Sequence, residues 1–285
     1  MIDINHITEF FKPIKEDNTS GSIDIALKAI RLIRDFVKDD KVEISKPLCN
    51  VLSEWLISAQ PSMGIILNLA YGLRRMKKGV KRNDILLYLD KYESGIKDHT
   101  AIISKRVFKL LESAKTIMVY SASYTVLMSL RYAYEKGLRF KVLVPESRPQ
   151  NEGGNMALAL ADLSIPVLYT TDAMAMSMLA AGDIDGVFIG GDAIVSHTLI
   201  CKVGSLALAT ICRRKKIPLY GLCGTEKIVP DKLKERFNIL PMPSEEIIKL
   251  KKKNITVINR YFESVPFKLF TKIITDKKEF AITKS

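Results

Sequence analysis

The sequence predicts an α/β protein in which a helical N-terminal domain is followed by a parallel-sheet C-terminal domain. Three observations predict it. Residues 1 to about 108 place apolar residues at helical spacing with almost no strand signal. From Thr116 onward, short β-branched apolar runs alternate with helical segments, the pattern of a buried parallel sheet. Polar and glycine-rich residues gather where successive runs stop: Glu146-Ser147-Arg148-Pro149, Thr171-Asp172 and Gly190-Gly191-Asp192. Ligands of open α/β sheets bind outside the carboxyl ends of the strands, so these turns carry the candidate site.

Taken in order, Asp17 to Ser22 is a turn and cap cluster before the helical run Ile23, Ile25, Ala26, Ala29, Ile30, Ile33 and Phe36-Val37. Ile44–Ala59 is a second helix with Trp55 on its apolar face. Gln60-Pro61-Ser62 breaks it, with the proline suited to the first turn of the next helix, Met63–Leu73, which contains Asn68. Arg74 to Arg82 is a basic connector, and Asn83–Leu111 is a further helix. The expected domains are 1–110 and 111–285.

Thr116–Tyr120 is the first strand, and Ser121-Ala122-Ser123 caps a helix from Tyr124 to Lys136 that Gly137 stops. Phe140–Val144 and Val167–Thr170 are the next strands, with a helix at Met156–Leu163 between them. Asp172 caps an alanine- and methionine-rich helix. Asp183–Ile189 is the fourth strand, Lys202–Arg214 a helix, and Ile217–Gly221 the fifth strand. Asn254–Ile258 reads as a late strand, and the aromatic and basic tail Arg260–Lys277 is expected to wrap over the sheet.

The 285 residues are 47% hydrophobic and 26% charged, a globular composition that builds a core without disulfides or metal. The formal net charge of +13 attracts polyanions non-specifically and suits a phosphorylated small ligand. Cys49, Cys201, Cys212 and Cys223 form no C-x-x-C pair and no zinc-spaced cluster. They read as reduced, mostly buried residues of a cytoplasmic protein that holds no metal. The start Met1–His6 is not a signal peptide, and no apolar run reaches the roughly 18–20 residues of a membrane helix, so no membrane partner is expected. Only Gln60 and Gln150 represent glutamine, a mild thermophilic bias.

Each candidate site residue has two readings. Ser121 and Ser123 cap a helix, or they contact a phosphate at the same helix N-terminus. The histidines His6, His99 and His197 give Ser121 no base, so no hydrolase triad is expected. Arg148 beside Gly153-Gly154 offers a donor fork to phosphate or carboxylate, or a surface salt bridge before a turn. The spacing is neither a P-loop nor G-x-G-x-x-G. Gly191 and Asp192 give close backbone approach and an acid–base carboxylate, or a tight turn with a cap. Lys202, at the far end of the same loop, neutralises a phosphate, whereas Cys201 reads as core. The clusters Arg213–Lys216 and Lys249–Lys253 lack aromatic interleaving and read as solvated faces rather than an RNA surface.

Together these turns resemble the family of the alpha, beta and delta subunits of initiation factor 2B, with its relatives methylthioribose-1-phosphate isomerase and archaeal ribose-1,5-bisphosphate isomerase. The motifs that carry the resemblance are Glu146-Ser147-Arg148-Pro149 with Glu152-Gly153, Asp172-Ala173, Gly190-Gly191-Asp192-Ala193 and Cys201-Lys202-Val203-Gly204-Ser205. Weaker matches are Ser20-Gly21-Ser22, Gln60-Pro61-Ser62-Met63 with Asn68, and Phe262-Glu263-Ser264-Val265-Pro266. The resemblance implies a Rossmann-like C-terminal domain that dimerises. It also implies ligand-binding residues Ser20, Gly21, Ser121, Arg148, Gly153, Asp172, Gly191, Asp192 and Lys202, without a cofactor. The family's isomerases use a cysteine after the first strand and an aspartate after the fourth. Asp192 matches the aspartate, but Ser121 stands where the cysteine is expected. Ser20 and Gln60 stand where phosphate-binding arginines are expected, and Cys201 replaces an asparagine. The resemblance therefore implies an alpha-type regulatory subunit, of archaeal type, that binds a sugar phosphate or nucleotide. Its implied partners are initiation factor 2 or a sister subunit, with a homodimer or higher oligomer. The alternative is an aldose–ketose isomerase with Asp192 and Ser121 as catalytic residues.

Overall fold

The computed structural model describes residues 4–250 and 252–281. It divides into two compact units, residues 1–98 with 226–238, and residues 99–225 with 239–285.

The first unit consists of α1 (Ile4–Lys15), α2 (Ser22–Lys38), α3 (Lys46–Ala59), α4 (Gly64–Arg74) and the start of the long α5 (Arg82–Leu111). Their apolar stripes form its core: Phe11, Ile25, Ile30, Ile33, Leu52, Leu56 and Ile65 are buried. Phe11 lies between Phe36 and Trp55, with ring centroids 5.5 Å away in each case. Ser45 caps α3 by accepting the Leu48 N–H at 3.4 Å, and Pro47 occupies that helix's first turn. Pro61, expected inside the next helix, stands before it, because Met63 is the N-cap of α4. Asn68 holds the returning 226–238 segment, its Nδ2 donating to the carbonyls of Glu226 at 2.8 Å and Ile228 at 2.6 Å.

The second unit is built on a seven-stranded sheet. Its strands are β1 (Thr116–Tyr120), β2 (Lys141–Pro145), β3 (Val167–Thr170), β4 (Gly186–Gly190), β7 (Leu219–Leu222), β9 (Lys272–Ile274) and β10 (Glu279–Ala281). The spatial order is β10-β9-β7-β4-β1-β2-β3, parallel throughout except for β10. Successive residues of β1 serve opposite faces, as strand pleating requires. Ile117 and Val119 pack with Val126 and Leu130 of α6 (Tyr124–Glu135) and with Met156 and Leu160 of α7 (Glu152–Asp162). Met118 and Tyr120 pack with Ala175 and Leu179 of α8 (Asp172–Ala181) and with Leu208 and Cys212 of α9 (Ser205–Lys215). Burying each large side chain stabilises the fold by roughly 1.5–3 kcal/mol. The strand order reverses between β1 and β4, and that reversal is where such sheets open a crevice.

A second, antiparallel sheet joins β5 (Ala193–Val195), β6 (Thr198–Lys202) and β8 (Phe262–Pro266). The 193–202 loop is therefore a hairpin, and α9 starts at Ser205 rather than Lys202, because Cys201 and Lys202 complete β6. Asn254–Ile258 is not a strand. Its Ile255 and Ile258 are 50% and 77% exposed, so the apolar pattern has no layer to cover. The tail enters the sheets as β8 and β9 instead of wrapping over them. The fourth strand begins at Gly186, because Asp183 and Asp185 lie before it and are exposed. No helix among the described residues is long and apolar enough to cross a membrane.

Asp185 joins the start of β4 to β1 by accepting the N–H groups of Lys115 at 2.7 Å and Thr116 at 2.8 Å. The Thr116 and Lys115 hydrogen bonds hold its carboxyl below the ordinary 3.8. A depressed folded pKa stabilises the protein fully above the ordinary value, and that contribution is lost as pH falls through the folded value. Asp185→Ala is therefore expected to cost about 1 kcal/mol at roughly pH 7. The cost should shrink in urea titrations as pH falls below the ordinary 3.8 and through the folded value, and a pH-independent cost would contradict the clamp.

Candidate functional site

The β1 and β4 ends bring together four of the loops singled out in the sequence. Ser121 follows β1 with φ 65°, a left-handed conformation that costs a non-glycine residue of order 1 kcal/mol. It is stabilised there because its N–H donates to Ser147 Oγ at 2.9 Å. Ser147, fully buried and itself at φ 61°, follows β2. Two strained serines lock one strand end against the next, and such outliers cluster at functional sites.

Asp172 does not cap α8. Thr171 does, accepting the Met174 N–H at 3.3 Å. Asp172 instead turns both oxygens onto the β2 loop, accepting the N–H of Ser147 and of Arg148 at 2.8 Å each. This makes Asp172 the residue that shapes the loop. The exposed Arg148 guanidinium has no hydrogen-bond or ion-pair partner among the described residues.

Glu152 opens α7. Its Oε1 accepts Lys202 Nζ at 2.5 Å and the Ser121 hydroxyl at 3.3 Å. Lys202 is 4% exposed, and its Nζ also lies 5.1 Å from the centre of the Tyr261 ring. Glu152 Oε2 is buried without a donor among the described residues. The expected phosphate role of Lys202 thus meets a resident carboxylate. A second carboxylate occupies the start of α9, where Glu263 accepts the Leu206 N–H at 2.8 Å. Burial first, then the charges of Asp172, Glu263, Glu152 and Glu146, push the Tyr120 phenol well above its usual range, so the β1 end is locally acidic.

Gly153 is packed on backbone. A Cβ there would lie 1.8 Å from the Pro145 carbonyl oxygen. Gly190 and Gly191 also allow close approach, a Cβ there lying 2.3 Å from Ser123 Oγ and 2.4 Å from Leu199 Cδ1 respectively. Asp192 follows directly. Its N–H donates to the Ile200 carbonyl at 2.8 Å, and its half-buried carboxylate has no partner among the described residues. Ser123 takes the capping reading, accepting the Val126 N–H at 3.4 Å. Cys201 is 1% exposed and belongs to the core. Ser20 and Gly21 lie in the first unit. Ser20 is bonded to Asp17 through its N–H and its hydroxyl, at 3.0 Å each, and Gly21 is the N-cap of α2. Glu152 is the site residue that the sequence reading missed as a contributor. The signal was the unmatched charge of Lys202, whose partner lies 50 positions away.

A doubly wound sheet with polar loops at its strand reversal defines the class, an α/β protein of Rossmann-like topology. The chain belongs to the initiation factor 2 subunit family, whose model matches residues 18–278. Its relatives fall into two kinds. Ribose 1,5-bisphosphate isomerase of Methanocaldococcus jannaschii is 25% identical over 284 residues, spanning 97% of this chain and 92% of the relative. The putative translation initiation factor eIF-2B subunit 2-like protein of Pyrococcus horikoshii is also 25% identical, over 272 residues, spanning 95% of this chain and 94% of the relative. The crystal structure of the Pyrococcus horikoshii OT3 translation initiation factor eIF-2B matches with a TM-score of 0.83 at 23% identity, covering 97% of each chain.

Proposed function

We propose that this chain is a non-catalytic, regulatory member of its family that binds a phosphorylated sugar or nucleotide at the β1/β4 reversal. In this reading it acts in translation initiation through initiation factor 2 or a sister subunit. The observation that carries the reading is Ser121. It stands at the position given to a cysteine by resemblance to the isomerases, and a hydroxyl has no accessible anionic form for proton transfer. Its only carboxylate contact among the described residues, Glu152, is held by Lys202 and is a poor base for it. Arg148, whose guanidinium has no partner among the described residues, supplies the phosphate-binding fork.

One observation favours the isomerase reading. The Asp192 carboxylate, at the position matching the isomerases' catalytic aspartate, has no partner among the described residues and is left available to move a proton. Incubation with ribose 1,5-bisphosphate and with methylthioribose 1-phosphate, followed by NMR at the anomeric and ketose carbons, separates the two. No turnover is expected. Turnover abolished by Asp192→Asn would overturn the regulatory reading. Thermal shifts with the same sugars and with AMP are expected to be positive and to vanish in Arg148→Ala.

A further inference from the structure

The proposed ligand has two chemically different parts, a phosphate and a hydroxylated carbon skeleton. The residues at the β1 end are not suited to the first. Phosphate binding needs hydrogen-bond donors and positive charge. Among the described residues, the buried cation of this loop cluster is Lys202, which is 4% exposed and already paired with Glu152 at 2.5 Å. The Ser121 hydroxyl has one proton, and the nearest negative acceptor, Glu152 Oε1 at 3.3 Å, draws it inwards. Its N–H is spent on Ser147 Oγ. What half-buried Ser121 presents outwards is therefore its lone pairs. Asp192, at the end of the neighbouring strand, adds a carboxylate with no partner among the described residues. The acidic surroundings of the Tyr120 phenol agree with this balance of charge.

We infer that the buried Glu152–Lys202 pair fixes Ser121 as a hydrogen-bond acceptor, so that the ends of β1 and β4 read the hydroxyl groups of the ligand while its phosphate lies towards Arg148. Glu152 is a positioning residue acting through Ser121, and Lys202 sets the orientation of Glu152 without touching phosphate. The inference rests on the pocket reading given above and assigns its chemistry. Lys202 and Glu152 would be wrongly counted as an anion site on residue type alone, because the pair is internally neutral.

The test is calorimetric titration of the full chain with two probes, ribose 5-phosphate and n-pentyl phosphate, which share five carbons and a phosphate but differ in hydroxyls. The wild type is expected to prefer ribose 5-phosphate by about tenfold or more, the scale of hydrogen bonding to polar and charged acceptors. Ser121→Ala and Glu152→Gln should each reduce that preference several-fold and leave n-pentyl phosphate binding unchanged. The double variant should lose no more than either single one, as expected for groups acting through one another. Should Glu152→Gln fail to fold, Glu152→Gln with Lys202→Met removes both buried charges and is expected to show the same loss. A preference that survives these substitutions, or tighter n-pentyl phosphate binding in Glu152→Gln, overturns the inference and leaves the pocket standing. Failure of the wild type to bind either probe overturns the pocket reading and this inference with it.

Discussion

Gly153→Ala is expected to destabilise the second unit by about 3 kcal/mol or more and to abolish the proposed ligand binding. The new Cβ would stand 1.8 Å from the Pro145 carbonyl oxygen, 2.9 Å from its carbon and 3.0 Å from the Glu146 carbonyl carbon. All three are backbone atoms, so no rotamer change relieves the overlap. Either α7 lifts from the end of β2 or the β2 loop shifts. Both break the Gly153 N–H to Glu146 carbonyl bond at 3.1 Å and move Glu152, the next residue back. The control is the neighbouring glycine. At Gly154 a Cβ would meet only the Tyr169 hydroxyl, at an ordinary 3.7 Å. Alanine is the better helix former by about 1 kcal/mol, so Gly154→Ala should be neutral or slightly stabilising. Urea denaturation of the two variants side by side checks the pair. Equal behaviour would show that the close packing of α7 on β2 is not as described.

Lys202→Met is expected to cost about 3 kcal/mol, because it strands the Glu152 carboxylate in a largely buried position. The Glu152 side chain is 16% exposed, and its Oε2 already lacks a donor among the described residues. Losing Lys202 leaves Oε1, among the described residues, with only the 3.3 Å Ser121 hydroxyl. Removing both charges is a different matter. Replacing a buried pair by neutral groups of similar shape is often near neutral, so Glu152→Gln with Lys202→Met should recover most of the loss. A double-mutant cycle in guanidinium measures this, and a coupling under about 0.5 kcal/mol would mean the pair contributes nothing specific.

Much of this arrangement is legible in the sequence where local pattern decides it. Thr116–Tyr120 and Val167–Thr170 are strands at the expected bounds because β-branched runs bounded by polar turns have few alternatives. The polar loops at the strand ends were legible for the same reason. The hairpin of Ala193–Val195 and Thr198–Lys202 was not, since its three-residue first strand carries too little periodicity and its turn places Ser196, not glycine, at φ 54°. Phe262–Pro266 reads only as part of an aromatic and basic tail, because its strand character comes from pairing with β6 rather than from its own residues. Asn254–Ile258 fails in the opposite sense, with strand-like residues and no strand beside them. Asp172 and Glu152 were visible as charged residues, but their duties depend on partners in other elements. Residue type gives a charge, while only the fold says whether that charge is already spent.

The small antiparallel sheet has a consequence for the order in which the chain becomes functional. Lys202 sits on β6, whose outer edge is closed by Phe262–Pro266, and the Tyr261 ring beside its ammonium comes from the residue just before that strand. The flank of β7 likewise waits for Lys272–Ile274. A ribosome therefore releases β1 to β7, with the loops at the ends of β1 and β4, well before the pieces that close both sheets. During that interval the nascent chain displays two open strand edges and a lysine not yet enclosed. Such edges invite pairing with other chains. Chaperone capture should concentrate on ribosome-bound chains stalled before Tyr261 and fall away once the 272–274 strand has emerged.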